Sequence, residues 1–415
     1  MRLRLVILVM ILSTLLLSPV AAGLAWSQSS VGGAVVSWLP MFLGAPNGEV
    51  LPSTSARFLK FDKRPIYGGN RRETASDDAR AELRVIVISD MNGRYGSAEY
   101  GEDVHAAVRE IIDRRPDLVI STGDMVAGQR EGLDYRAMWQ GFHQSVTVPL
   151  RDAGIPLLIT PGNHDGATSP RFAYERSIFR DEWDLHRPKV RFVDDSDYPV
   201  RYSAVMGETF FISLDATSVG ALPSEQMRWL ERQLASAQGY ENRIVFGHVP
   251  LYAVSDSKAT EVIGDAALEA LFNRMRVSAY ISGHHHTYYP GARGRLRLIS
   301  MPCLGSGLRR LIAPNQERGA RAFVEFVVAR GGLYDVEAWR SPRFESRIER
   351  EDLPPKVGLA QGVLVRDDLL GLDLRSRPLP PKECGPRVEG AYCESPVTPD
   401  PRSPSLPLLP DGLGR

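Results

Sequence analysis

Five apolar runs in this chain each end on a short polar segment rich in metal-binding side chains: SDMNG (89–93), GDMVAG (123–128), GNHD (162–165), GHVP (247–250) and GHHH (283–286). Buried strands separated by helical stretches must lie parallel in a covered sheet, and open α/β sheets hold their ligands just outside the carboxyl ends of the strands. The segments supply Asp90, Asn92, Asp124, Asn163, His164, His248, His284 and His286 as candidate site residues. Five of the eight histidines in the chain fall in them, a clustering that scattered surface histidines would not produce.

That mixture of imidazole, carboxylate and amide groups suits one kind of chemistry. Attack on a phosphate ester needs a nucleophile at neutral pH and a positive clamp for the anionic oxygens, and two divalent ions about 3.5–4 Å apart supply both. Such a pair needs about seven or eight protein donors, with one carboxylate shared between the ions. The donor set suits manganese, iron or zinc.

At 415 residues, 43% apolar and 24% charged, the chain is globular and long enough for one large domain with appendages. Fifty basic residues balance fifty acidic ones, so no nucleic-acid partner is expected from charge. The first 25 residues carry two arginines and then an apolar run from Leu5 to Ala25, which reads as an export segment. Cleavage after small residues makes it a signal peptide, and retention makes it a membrane anchor; both stay open. The chain is therefore expected outside the cytoplasm: periplasmic, secreted, or anchored to the outer face of the inner membrane. The apolar patch at 31–46 is too short to span a bilayer. Cys384 and Cys393 would pair in an oxidising compartment, whereas Cys303, at the end of an apolar run, reads as a buried small hydrophobe.

Residues 26–80 read as a linker or arm, 81–345 as the folded domain, and 346–415 as a loosely ordered, proline-rich tail. Within the domain, LRVIVISD (83–90), a helix at 102–115 with Val104, Val108, Ile111 and Ile112 at helical spacing, and DLVISTGD (117–124) form a strand, helix, strand unit. A helix near 134–152, the strand PLLIT (156–160), a looser stretch from 169 to 199 and a hairpin turning at Gly207 follow. A helix from Pro223, RIVFGHVP (243–250), a helix at 265–276 and SAYISGHHH (278–286) continue the pattern. The runs RLRLISM, FVEFVVA and LYDVEAW read as strands of a second sheet, giving a layered α/β sandwich.

Each segment has a bland reading beside the chemical one. An aspartate after glycine, as at Asp124, commonly caps a turn, and NHD alone is an ordinary polar turn. Three successive histidines can form a surface metal-scavenging tract. The apolar AYIS before them points instead to a strand end, where His284 and His286 share a side and His285 faces away. His248 alone could equally be a core histidine. The five segments together favour the site, with Asp124 as the shared carboxylate and His164 assisting the leaving group.

With these residues laid out, the chain resembles the calcineurin-like metallophosphoesterase superfamily over about residues 83–340, whose pattern is D-x-H, GD, GNH, H and G-H-x-H. The resemblance implies an αββα sandwich of two packed mixed sheets, and hydrolysis of phosphate mono- or diesters through attack of a metal-bound hydroxide at a dinuclear centre. It implies that Asp90, Asp124 and His286 hold one ion, that Asp124, Asn163, His248 and His284 hold the other, and that His164 is the catalytic histidine. Two positions depart from the pattern. Asn92 replaces the histidine of D-x-H, and Ala127 stands where one branch carries a tyrosine ligand and another an aspartate that orients the catalytic histidine. The SDMNG segment looks like an exported bacterial subgroup. The alternative those departures raise is a metal-binding pseudoenzyme or cell-envelope interaction module on the same fold.

Overall fold

The alternation of buried apolar runs with amphipathic stretches produces two sheets, each with parallel and antiparallel pairs. The computed structural model describes residues 82–360 and 362–370, all within one compact unit. The export segment, the arm at 26–80, the patch at 31–46 and the Cys384/Cys393 pair lie outside the described residues.

In chain order the strands are β1 (Leu83–Ile88), β2 (Leu118–Ser121), β3 (Leu157–Ile159), β4 (Arg191–Asp197), β5 (Arg201–Met206), β6 (Thr209–Ser213) and β7 (Asn242–Gly247). They continue as β8 (Ala279–Ser282), β9 (Tyr289–Arg293), β10 (Leu296–Ser300), β11 (Ala322–Ala329), β12 (Gly332–Arg340), β13 (Lys356–Val357) and β14 (Leu364–Arg366). One sheet has the order β12-β11-β1-β2-β3, the other β13-β14-β9-β10-β8-β7-β6-β5-β4. The parallel pairs that carry the ligand segments are β1 with β2, β2 with β3, and β7 with β8. The free edge of β3 is tied to the other sheet: Tyr202 on β5 donates its hydroxyl to the Ile159 carbonyl on β3 (2.7 Å) and accepts from the Ile159 amide (2.9 Å). Val85, Ile86, Val87 and Ile88 on β1 are fully buried, each worth about 1.5–3 kcal/mol of transfer free energy.

Among the described residues the α-helices are α1 (Glu102–Arg114), α2 (Tyr135–Phe142), α3 (Val148–Asp152), α4 (Asn163–Gly166), α5 (Ala173–Leu185), α6 (Ser224–Ser236) and α7 (Ala266–Arg274). On α1, Val104, Ala107, Val108 and Ile111 form the buried stripe, with Glu102 and Asp103 in the first turn and Arg114 in the last, where each charge complements the helix dipole. Among the described residues no helix is long and apolar enough to cross a membrane.

Four expectations need correction. The helix expected over 134–152 is α2 and α3 joined by a π turn at His143–Thr147. The stretch from 169 to 199 is not loose but contains α5 and β4. The apolar positions of α5 (Ile178, Phe179, Trp183) are interrupted by Arg180, Asp181 and Glu182, and β4 is a mostly exposed edge strand without an apolar run. RLRLISM, FVEFVVA and LYDVEAW do not make a sheet of their own: β10 pairs with β8, while β11 inserts between β1 and β12. Nor does the fold end at 345. β14 extends the larger sheet by pairing with β9, and Asp367 joins Arg297 (3.0 Å) and Arg350 (3.1 Å). A proline-rich, charged sequence hid this segment because its strands are two and three residues long.

Candidate metal centre

Strands β1, β2, β3, β7 and β8 all deliver their following residues to one place. Asp90, Asp124 and His286 converge there, each offering a ligand atom within 4.8 Å of the others, and all three are buried. His286 Nε2 lies 3.0 Å from Asp90 Oδ1, and His248 Nε2 lies 3.4 Å from Asp124 Oδ2 and 3.0 Å from Asn163 Oδ1. The His284 ring packs against His248 with centroids 5.1 Å apart, but its Nε2 meets Glu261 Oε2 at 3.0 Å. His164 donates its backbone N–H to Asp124 Oδ1 (2.9 Å).

The backbone works against ordinary preference to achieve this. Asp90, Asp124, His284 and His286 all have left-handed φ, between 48° and 63°, a conformation that disfavours residues with a Cβ and that collects at functional sites. β8 ends at Ser282, so these left-handed turns, and not strand alternation, aim His284 and His286. Close approach of the loops needs glycine at two points. A Cβ at Gly123 would lie 2.6 Å from the Gly162 nitrogen and 2.9 Å from His248 Nδ1, and one at Gly162 would fall onto the Asp124 carboxylate.

A surrounding layer fixes the orientation of the candidate ligands. His248 Nδ1–H donates to the Thr122 carbonyl (2.9 Å) and His286 Nδ1–H to that of Gly307 (2.8 Å), which leaves each Nε2 as the inward atom. Asn163 donates its amide to Gln129 Oε1 (3.0 Å), so its carbonyl oxygen turns toward His248. Ser89 donates to Asp90 Oδ2 (2.5 Å) and receives from Thr122 (2.6 Å). Asp165 accepts from the Met125, Val126 and Gly162 amides at 2.8–2.9 Å, tying the GD and GNHD loops together. His285 faces away from the centre, accepting from the Val254 and Ser255 amides and donating to the Glu261 carbonyl.

Burial by itself would raise Asp124, but His248 and His164 outweigh it and hold the carboxyl below the usual carboxylate range. Burial opposes a proton on His248, yet Asp124, helped by Asp90, raises its pKa to about 9. Burial, with the charge on His248, pushes His284 far down. Burial and the Asp124 carboxylate push Asp165 up to about 8.

The donor set fits divalent ions. Two carboxylates and an imidazole group together, and Asp124 Oδ2 also meets the His248 imidazole, which in turn contacts the Asn163 amide oxygen. Asn92 differs, since its amide oxygen accepts from Ser306 Oγ, a hydroxyl that also reaches the Asn92 carbonyl (3.2 Å). His164 is half-buried beside the centre, with Nδ1 on the Gly128 carbonyl (3.0 Å) and the exposed Tyr95 ring 5.5 Å away. The aspartate absent at Ala127 is thus replaced, for orienting His164, by the carbonyl of the next residue. Glu261 had no sequence signal, because it lies in a loop without a motif. Asp165 had one, its place in GNHD. Cys303 is buried, its thiol donating to the Ser306 carbonyl (3.2 Å) and pushed by burial up to about 12.

Comparison with known proteins shows what the domain is similar to. Residues 83–288 match the family model for calcineurin-like phosphoesterase. Serine/threonine-protein phosphatase CPPED1 of Rattus norvegicus is 26% identical over 231 residues, covering 51% of this chain and 69% of that protein. Probable glycerophosphodiester phosphodiesterase GpdQ of Arcobacter nitrofigilis is 26% identical over 214 residues, covering 49% and 71%. Purple acid phosphatase PPD1 from yellow lupin (Lupinus luteus) seeds shares the fold with a TM-score of 0.50 and 20% identity; the match covers 63% of this chain and about half (52%) of that one. The domain spanning residues 83–288 belongs to the calcineurin-like phosphoesterases, a family of metal-using hydrolases of phosphoric esters.

Proposed function

We propose that this protein hydrolyses phosphate mono- or diesters at a dinuclear centre in which Asp124 is shared between two divalent ions, manganese, iron or zinc. The observation that carries the proposal is the placement of Asp124: it groups with Asp90 and His286, their ligand atoms within 4.8 Å of one another, and its Oδ2 also lies 3.4 Å from His248 Nε2, which meets Asn163 Oδ1 at 3.0 Å. Asp90, Asp124 and His286 would hold one ion; Asp124, Asn163, His248 and His284 the other. His284 joins by turning from Glu261, which is itself paired with Lys258 (2.6 Å). Asn92 would contribute only on releasing Ser306. When bound, such ions activate water and neutralise phosphoryl oxygens.

The chain's own residues do the rest. His164 anchors its Nδ1–H on Gly128, which presents Nε2 to the ester. It stabilises the transition state or protonates the departing alkoxide, a contribution of about 10²–10⁴ in rate. Asp165 and Gln129 hold Asn163 and the Asp124 loop in register, so geometry is set before substrate arrives. The composition of residues 5–25 supports an exported protein; fractionation that finds it in the cytoplasm would remove that part of the proposal.

The experiment is hydrolysis of a chromogenic phosphomonoester and a phosphodiester by the full chain, stripped of metal and reloaded separately with manganese, iron and zinc. Metal-dependent turnover, lost in Asp124→Asn, is the expected outcome. Turnover that survives in Asp124→Asn would refute the assignment.

A further inference from the structure

A second group of ligand side chains stands in the helical layer, apart from the centre on the strand ends. His143 lies in the π turn between α2 and α3, and Glu182 and His186 lie four residues apart at the end of α5. Their three ligand atoms fall within 4.8 Å of one another. Glu175, which touches the Gln129 backbone near the first centre, lies eleven residues before His186 on the same helix, about 16 Å away along its axis.

We propose that His143, Glu182 and His186 form a separate binding site for one divalent transition-metal ion of the zinc class. His143 is only 4% exposed, and its Nε2 is buried without a hydrogen-bond partner. That nitrogen points at Glu182 Oε2 from 3.7 Å, too far for a hydrogen bond and slightly longer than the ~3.3 Å that separates two ligand atoms on a tetrahedral zinc with bonds near 2.05 Å. The other ring nitrogen, Nδ1, is engaged with Thr147 Oγ1 at 3.0 Å. A buried imidazole nitrogen without a hydrogen-bond partner is costly, and a cation bound to it and to the nearby carboxylate removes the cost.

The remaining ligands are set in the form a metal requires. His186 Nδ1–H donates to the Glu182 carbonyl (2.9 Å), the bond that fixes the tautomer with a free Nε2 lone pair. Glu182 and His186 are i and i+4, so α5 presents both on one face, and Arg136 occupies the other carboxylate oxygen (3.1 Å). The two imidazoles stack with centroids 3.6 Å apart and planes 13° from parallel. Binding therefore asks the half-exposed His186 ring to splay outward, while His143 stays clamped between Trp139 (5.7 Å) and Trp183 (5.4 Å). Two histidines and one glutamate make three protein ligands, with water in the fourth position toward solvent. Two imidazoles favour zinc, cobalt or nickel over magnesium or calcium. The ion would join the π-turn helix to the end of α5 as a cross-link.

The test separates this site from the first by disabling the first. Full-length protein carrying Asp124→Asn is stripped with chelator, and binding of zinc and of cobalt is measured by titration calorimetry and by the visible absorption of cobalt. One equivalent is expected, accompanied by a rise in melting temperature with zinc. Adding His186→Ala, or Glu182→Gln as a gentler change, should abolish both the binding and the rise. A folded Asp124→Asn protein that binds no zinc or cobalt would overturn the proposal, as would equal binding with and without His186. In the otherwise wild-type chain His186→Ala should leave metal-dependent hydrolysis within about twofold, so loss of this site and failure of the first give different readouts.

Discussion

His164 and Gly128 bond to each other twice: the Gly128 amide donates to the His164 carbonyl (3.0 Å), and His164 Nδ1–H donates to the Gly128 carbonyl (3.0 Å). The pair fixes the ring of the candidate catalytic histidine through a carbonyl, while the His164 backbone N–H is held by the Asp124 carboxylate. A Cβ at position 128 would strike the His164 carbonyl and crowd Glu175 and Tyr135, so Gly128→Ala must open this contact. The predicted result is a fall in kcat of at least about tenfold with metal content unchanged, checked by steady-state kinetics beside elemental analysis.

Removing the ring itself should act on turnover alone. His164→Ala is predicted to lower kcat by about 10²–10⁴ while both ions remain bound. Asp124→Asn and His248→Ala should instead lose metal, because each removes a group that meets Asp124 or is Asp124. Metal loss in His164→Ala with normal loading in His248→Ala would reverse the assigned roles.

Chelator-treated protein should lose stability as pH rises from about 6.5 to 9. In the fold His248 keeps a proton up to about 9, whereas an unfolded histidine releases it near 6.5, so its contribution is complete below about 6.5 and gone above 9. Asp165, raised to about 8, has the same sign, its contribution being lost as pH rises through that value. Metal binding takes the opposite slope, since a ligating imidazole must be deprotonated. Calorimetric melting of stripped and manganese-loaded protein across this range checks both slopes; a stripped protein more stable at pH 9 than at 6.5 contradicts the account.

The segment after residue 345 should matter for stability. The Asp367 side chain is buried between Arg297 and Arg350, and Asp367→Ala is predicted to cost about 1.5–3 kcal/mol, read as a shift in denaturant midpoint. Truncation after residue 345 should cost more, because it also uncovers the β9 edge and removes buried Leu364.

Much of the candidate site was legible because its residues are grouped locally: SDMNG, GDMVAG, GNHD, GHVP and GHHH each carry their candidate ligands within a few residues of a strand end. What the sequence hid depends on distant partners. Glu261 reaches His284 across 23 residues, and Ser306 reaches Asn92 across 214. The same contrast holds for the fold. Strands β1, β2, β7 and β8 are continuous apolar runs, while α5 and β4 are masked by charge, and β11 joins β1 from more than 230 residues away. His143, Glu182 and His186 have no motif, since their grouping depends on a π turn packing against the end of α5.

The most direct test of the central claim is anomalous diffraction from crystals of manganese-loaded protein, collected on either side of the absorption edge. Two peaks about 3.5–4 Å apart, flanking the Asp124 carboxylate with His286 on one side and His248 on the other, are the predicted result. A single peak, or two that do not share Asp124, would contradict it.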